Sequence, residues 1–294
     1  MQQRTRLAVE DVLGARLTGT RVLAVTSGKG GVGKTSLSLN LGLALARRGQ
    51  RVLILDADLG MANINIMLGF EPAYTLWDVV AGGIPLSRIL VKGPEGIGII
   101  PGGSGIVELA DLGPVEISRI IEGFRELQGE CDWLMVDTGA GISERVLAFV
   151  VAADEALVVT TPEPTAMADA YGLIKAVWAQ EGRVALKLVM NRVGRRETGE
   201  EMGGRLVQLA KKMLTCDVAM LGVVSEDPRV SQSVLRQQPF ALAHPHTVAS
   251  QDVGALADRL LDRVPPPRRG GVGGFFNRLA QNLPFRTMAG EETS

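Results

Sequence analysis

From Arg21 onward, short apolar runs rich in β-branched residues alternate with longer segments of helical period. The runs are Val22–Thr26, Val52–Asp56, Ile97–Ile100, Trp133–Asp137, Ala156–Thr160 and Ala185–Asn191. Val-Leu-Ile-Leu at 52–55 and Ala-Leu-Val-Val at 156–159 show no in/out alternation. Strands of that kind are buried on both faces, as in a parallel sheet covered by helices. Between the first two runs, Leu37, Leu41 and Leu45 recur every four residues, which predicts a helix over Ser36–Arg48 with Gly49 as its stop. The pattern predicts an α/β fold, a doubly wound and mostly parallel sheet over residues 21–264.

The pattern changes at both ends. Residues 1–20 carry Val9, Val12, Leu13 and Leu17 at the spacing of a short amphipathic helix. After Val264 comes a linker over 265–274, three prolines and two arginines followed by a run rich in glycine, stiff first and then flexible. Residues 275–285 then predict an amphipathic helix with Phe275, Phe276, Leu279 and Leu283 on one side, and 286–294 read as a disordered tail. Such a face either enters a membrane interface or folds back on the protein's own surface. The flanking Arg268, Arg269, Arg278 and Arg286 favour anionic lipid.

Composition narrows the classes. The chain has 294 residues, 46% of them hydrophobic, with 31 basic against 32 acidic side chains, so no general electrostatic pull toward nucleic acid exists. No apolar stretch approaches the ~20 residues of a membrane span. Charges at Arg4, Arg6, Glu10, Asp11 and Arg16 are unlike a signal peptide, so the expected location is the cytoplasm. Cys131 and Cys216 form no disulfide framework or metal motif and read as small buried hydrophobes.

The chemistry concentrates after the first strand. Gly28-Lys29-Gly30-Gly31-Val32-Gly33-Lys34-Thr35-Ser36 fits the phosphate-binding pattern G-x-x-x-x-G-K-[ST] in its strand–loop–helix setting. Glycines let backbone N–H groups turn onto phosphate oxygens, and the helix N-terminus adds its dipole. Lys34 is placed to reach the β/γ-phosphates and Thr35 to ligate Mg²⁺, which makes ATP and Mg²⁺ the expected cofactors. Asp56 and Asp58 follow one buried run and Asp137 another, where open α/β sheets hold their ligands.

The second lysine in the loop resembles the deviant Walker A signature of the MinD/ParA family of P-loop ATPases. That resemblance implies that Lys29 acts across an ATP-dependent homodimer, that Asp137 with Asp56 supports the metal shell, that Asp58 positions the attacking water, and that Gly139 and Gly141 form a second switch. It also implies that Asn191 contacts adenine, although Asn191-Arg192 reads equally as a strand-end turn. Asp56–Asn63, Pro101–Ile106 with Glu108–Ala110, Asp137–Ser143 and Thr161–Thr165 with Asp169–Tyr171 resemble the MinD-like regulators of flagellar number and placement. The implied partners are a second copy of the chain, the anionic inner face of the cell membrane, a flagellar GTPase of the signal-recognition-particle type and flagellar switch (C-ring) proteins. The alternatives within the family are a division-site regulator and a DNA-partitioning ATPase, and a third possibility is a nucleotide sensor without catalysis. DNA is disfavoured, because Glu197, Glu200 and Glu201 directly follow the cluster Arg192, Arg195, Arg196. The N-terminus does not spell the GTPase-stimulating segment of the flagellar group, so its helix either serves that role or packs on the sheet.

Overall fold

The computed structural model describes residues 19–58, 64–102, 122–124, 131–180, 184–263 and 269–283. The expected N-terminal helix, the segments 59–63 and 103–110, most of the front of the linker and the tail beyond Leu283 lie outside the described residues. The strands are β1 (Arg21–Ser27), β2 (Val52–Ala57), β3 (Val91–Lys92), β4 (Gly98–Ile100), β5 (Trp133–Ala140), β6 (Glu155–Thr160), β7 (Ala185–Val193) and β8 (Val218–Ser225). They form one sheet in the order β3-β4-β2-β5-β1-β6-β7-β8, with neighbours parallel except β3 against β4. The chain moves from β1 toward one edge and returns across β1 toward the other, so the order reverses beside β1, where such sheets open a ligand crevice.

Side chains of β1 alternate between the faces, Val22 and Ala24 to one core and Leu23 and Val25 to the other. The second core is roofed by α1 (Lys34–Ala46) and, after α2 (Ile64–Leu68), α3 (Leu76–Gly82) and α4 (Leu86–Ile89) near the β4 edge, by the late helices α8 (Pro228–Leu235), α9 (Phe240–Ala243) and α10 (Val248–Asp262). The first core is covered by α5 (Glu144–Ala152), α6 (Pro164–Ala179), α7 (Arg196–Leu214) and α11 (Gly271–Asn282). The doubly wound α/β expectation is met. Two strands, β3 and β8, join those anticipated. β8 carries Gly222 in mid-run, where α10 packs directly on the strand: a Cβ there would lie 2.4 Å from Nη1 of Arg259, which donates to the Leu221 carbonyl at 2.7 Å, and 2.8 Å from Cδ2 of Leu256.

α11 corrects the picture of a segment held away from the domain. It begins at Gly271, inside the stretch that reads as linker, after Gly270 in the left-handed region at φ 91°. Phe275, Phe276, Leu279 and Leu283 are all buried in the first core. Phe276 packs on Phe124 with ring centroids 4.2 Å apart, and Phe275 faces Phe149 of α5 at 6.4 Å. Polar groups fasten the helix as well. Arg269 Nη1 donates to the Val151 and Ala153 carbonyls at 3.0 and 2.9 Å, and Arg278 Nε to that of Ala152 at 2.8 Å. These are carbonyls that the C-terminal end of α5 leaves without intrahelical partners. The Asp154 carboxylate between them accepts from the backbone N–H of Val22 and of Arg269, each at 3.0 Å. Burial pushes the Asp154 carboxyl above its ordinary range against the pull of these donors and of both arginines. Among the described residues no helix is long and apolar enough to cross a membrane.

Candidate nucleotide site

Each part of the site sits where a backbone device puts it. The phosphate loop leaves β1 at Ser27 and enters α1 through Gly33, whose φ of 92° belongs to the left-handed region that favours glycine. Gly28 needs glycine for a different reason: a Cβ there would lie 2.2 Å from the carbonyl oxygen of Asp169, so the loop is braced directly on α6. α1 carries no side-chain cap on its first N–H groups, which leaves them for a ligand. Lys34 is buried at the base of this turn.

Below the loop, β2 and β5 pair in register so that Asp56 stands directly beside Asp137. Both are buried. Ser38, one turn along α1 from Lys34, donates to Asp137 Oδ1 at 2.7 Å, and the Thr35 hydroxyl also bonds this carboxylate. The other oxygen, Oδ2, is buried with no hydrogen-bond partner among the described residues. Burial, and then repulsion from Asp56, push the Asp137 carboxyl up to about 7, with Thr35, Ser38 and Lys34 pulling the other way. An orphaned carboxylate oxygen beside a second carboxylate and a hydroxyl is a hard oxygen set, which fits a divalent cation of the magnesium type.

The Asp56 carboxylate also accepts from the backbone N–H of Asp58 at 3.3 Å and of Ile64 at 3.1 Å, so it spans both sides of the segment that follows β2. Asp58 then approaches the end of β5, its Oδ1 3.5 Å from where a Cβ on Gly139 would stand. Gly141, at φ 98°, donates its N–H to the Ser27 carbonyl at 2.8 Å and ties the segment after β5 to the end of β1.

Asn191 approaches from the far side. The register between β7 and β8 slips between Met190 and Val193, and Arg192 takes φ 54°, so the bulge turns Asn191 toward the loop. Its Nδ2 donates to the Val32 carbonyl at 2.8 Å. A Cβ on Gly33 would lie 2.5 Å from that nitrogen, which gives Gly33 a second need for glycine. Asn191 is therefore a strap on the phosphate loop. It also lines an open cleft of about 740 Å³ together with Ser36, Val224, Pro228 and Phe240.

Lys34, Thr35, Asp56, Asp58, Asp137 and Gly139 thus converge, with Asn191 adjoining. Lys29 turns outward, its Nζ 3.0 Å from Glu163 Oε2 and 2.9 Å from Thr165 Oγ1 at the start of α6. Phe275, Phe276, Leu279 and Leu283 are no part of this site. Three features had no assigned role in the sequence: Ser38, the Glu163–Thr165 contact, and the cleft wall from β8 and α8. A serine facing inward on a leucine-rich helix, one turn past Lys34, was the available signal for the first.

With this geometry in place, the relatives are informative. The family profile described as "ParA: NUBPL iron-transfer P-loop NTPase" matches residues 19–261. This chain belongs to the MinD/ParA family of P-loop ATPases. Within that family it is 39% identical to the antiactivator FleN of Pseudomonas aeruginosa, over 89% of this chain and 94% of that protein. It is 30% identical to the flagellum site-determining protein YlxH of Helicobacter pylori, over 90% and 91% of the two chains. Among solved structures, the MinD cell division protein of Aquifex aeolicus matches with a TM-score of 0.68 at 30% identity, over 85% of this chain and all of that one. A MinD from Pyrococcus horikoshii in complex with Mg-ADP matches with a TM-score of 0.65 at 28% identity, over 83% and 96%. The MinD/ParA fold accounts for the sheet order and for the phosphate loop that follows β1.

Proposed function

We propose that this chain is an ATP-switched regulator of flagellar number and placement that binds Mg-ATP, dimerises across the nucleotide site, hydrolyses ATP slowly and attaches reversibly to the inner face of the cell membrane. The observation that carries the switch is the direction of Lys29. Two lysines share the loop; Lys34 is buried at its base, whereas Lys29 is half-exposed and turned away from it. A cation so placed serves a phosphate on another molecule better than its own, as an arginine finger does in trans. The flagellar assignment is supported by FleN and YlxH, each aligned over nearly its whole length.

In this reading the loop amides and Lys34 bind the β/γ-phosphates, while Thr35, Asp137 and Asp56 hold Mg²⁺ and its water shell. Bound magnesium would neutralise phosphate charge and the surplus of the two carboxylates. Asp58, set against Gly139, orients the attacking water. The cleft past Asn191, with Phe240 and Val224 in its wall, receives the base. Hydrolysis is slow in the monomer because the lysine that would neutralise the transferred phosphoryl group comes from a second subunit. The DNA-partitioning alternative is weakened by acidic partners within the same cluster, since Arg192 pairs with Glu226 and Arg196 with Glu200 and Asp252.

Membrane attachment requires α11 to leave its groove. Burial of a large apolar side chain contributes about 1.5–3 kcal/mol whether the cover is protein or lipid, so the apolar face is repaid in either place and the polar fastening by Arg269 and Arg278 is what undocking must give up. Joining two tails in one dimer offsets that loss, since the second inserts at high effective concentration. The same remodelled surface would meet the expected flagellar GTPase or switch proteins. Light scattering and vesicle sedimentation test the reading together. Mg-ATP should dimerise the Asp58→Ala protein and carry it down with anionic vesicles, and Lys34→Ala should do neither. A persistent monomer at micromolar concentration, or equal pelleting with and without ATP, overturns it.

A further inference from the structure

We infer that Asp252, together with Arg196, is a positioning residue that sets the base wall of the nucleotide cleft and so acts on the nucleoside end of the ligand. The inference rests on the reading of the cleft past Asn191 as the place of the base, and deepens it. Asp252 is a carboxylate only 4% exposed, on the buried side of α10 among neighbours such as Ala249, Val253 and Leu256. An apolar side chain would pack there without the cost of desolvating a charge, so packing alone does not account for it. Its partners do. β8 is the last strand of the sheet, so alternate backbone N–H groups face outward with no strand to receive them. Glu226 turns its N–H inward to the Val193 carbonyl at 3.0 Å, and Ser225, turned outward, donates its own to Asp252 Oδ2 at 2.8 Å. Oδ1 accepts from Arg196 Nη2. Arg196 opens α7, which covers the opposite face of the sheet from α10. One carboxylate therefore reaches around the sheet edge and joins both layers.

What those two bonds hold is the rim of the cleft. Ser225, Glu226, Asp227 and Pro228 line it directly. Arg196 follows closely on Val193, where the pairing of β7 with β8 resumes after the bulge that turns Asn191 inward. The clamp thus fixes, from outside, the two chain segments 191–196 and 225–228 between which a base is received. The phosphate end is built from other parts: the glycines of the loop, the brace of Gly28 on α6, and the first turn of α1. Asn191 touches that end at one point, the Val32 carbonyl. A loosened clamp is therefore felt mainly by the base.

Calorimetric titration with Mg-ADP and with Mg-pyrophosphate separates the two ends of the ligand. Asp252→Asn keeps an acceptor for the Ser225 N–H and gives up the charge that holds Arg196. Arg196→Gln reaches the same contact from its half-exposed side and keeps a donor for Oδ1, so it serves where the α10 variant fails to fold. Each should weaken Mg-ADP roughly three- to tenfold, the size of one displaced hydrogen bond, and move Mg-pyrophosphate by less than about twofold. The double variant should bind Mg-ADP no more weakly than the weaker single one, because both changes break one contact. Equal losses for the two ligands would make Asp252 a structural brace, and unchanged Mg-ADP in both variants would remove it from the site; either overturns the inference. Additive losses in the double variant overturn the clamp, since the two residues would then act apart. The cleft reading has its own control. If the wild-type protein binds Mg-ADP no better than Mg-pyrophosphate, the base is not received in the cleft, and that reading fails before any variant is compared.

Discussion

Buried charge sits at both ends of the sheet, and the two ends treat it differently. At the N-terminal ends of the strands, Glu155 is fully buried between Arg21, whose Nε and Nη2 donate to Oε1 at 2.9 and 2.6 Å, and Lys187, whose Nζ lies 2.5 Å from Oε2. Arg21 also donates to the Leu260 carbonyl and lies over the Trp133 ring, 4.0 Å from its centroid. At the C-terminal ends, Asp56 and Asp137 stand side by side, and one oxygen of Asp137 is orphaned. Desolvation is costly at both ends; the first offsets it with ion pairs, while the second leaves Oδ2 of Asp137 open. The difference separates scaffold from site: charges that close among themselves hold strands together, and charges left in surplus mark where a ligand completes the protein.

The sharpest way to break the comparison is to unbalance the scaffold. Glu155→Gln would leave two buried cations without their counter-charge, and breaking a buried pair in this way costs about 3–5 kcal/mol. Thermal or urea unfolding should show a loss of that size, with nucleotide affinity of the remaining folded protein unaltered. A loss under about 1 kcal/mol would mean that the cluster is as dispensable as a surface pair.

The opposite change belongs at the other end. Asp137→Asn relieves the like-charge pair, so the nucleotide-free protein should unfold at the same or a higher temperature, while its gain in stability from Mg-nucleotide is lost. The pH dependence has a definite sign. With the folded-state carboxyl at about 7 against an ordinary value of 3.8, the native protein holds this proton more tightly than the unfolded chain. Its contribution therefore favours folding below pH ~4 and is lost as pH rises through 7. The stabilisation by Mg-nucleotide should grow over the same window, because the metal takes the place of the proton. Thermal shift between pH 5 and 8 reads both, and a flat profile shared by wild type and Asp137→Asn would remove Asp137 from the metal site.

What the sequence disclosed divides along similar lines. The loop was legible because its requirements are local: glycines where φ is positive or the backbone approaches closely, a lysine and a threonine at fixed offsets, a strand before and a helix after. Asp56 and Asp137 were legible as strand-end carboxylates, although their pairing in register is a fact of the sheet. Ser38, Glu163 and the cleft wall were not, because their roles exist only against partners distant in the chain. β8 went unread where Gly222 interrupts its apolar run. The tail shows the limit most plainly. Phe275, Phe276, Leu279 and Leu283 make one apolar face, and hydrophobicity does not name its cover; the groove lined by Phe124 and Phe149 lies more than a hundred residues away.

The smallest expected effect tests whether that tail belongs with the scaffold or with the site. Its apolar face is buried like a core, yet its polar fastening is of intermediate character. Asp154 accepts two backbone N–H groups and lies 3.5 Å from Arg278 Nη2, and its carboxyl is raised by burial even so. Arg278 is depressed to about 10 by burial first and by Arg269 second, with Asp154 opposing. Two arginines thus share one carboxylate, a closure less complete than that of Glu155. Asp154→Asn keeps one acceptor oxygen for the backbone donors and removes the charge, so the global loss should be about 1–2 kcal/mol, within the range of a hydrogen bond to a charged group. The informative reading is local. Hydrogen exchange at 271–282 should accelerate more than at β1 or α5, because the arginines can still cap α5 only while the helix stays docked. Acceleration confined to α11 would place the tail among elements built to leave, and a uniform loss across the sheet would make it one more buried layer of the core.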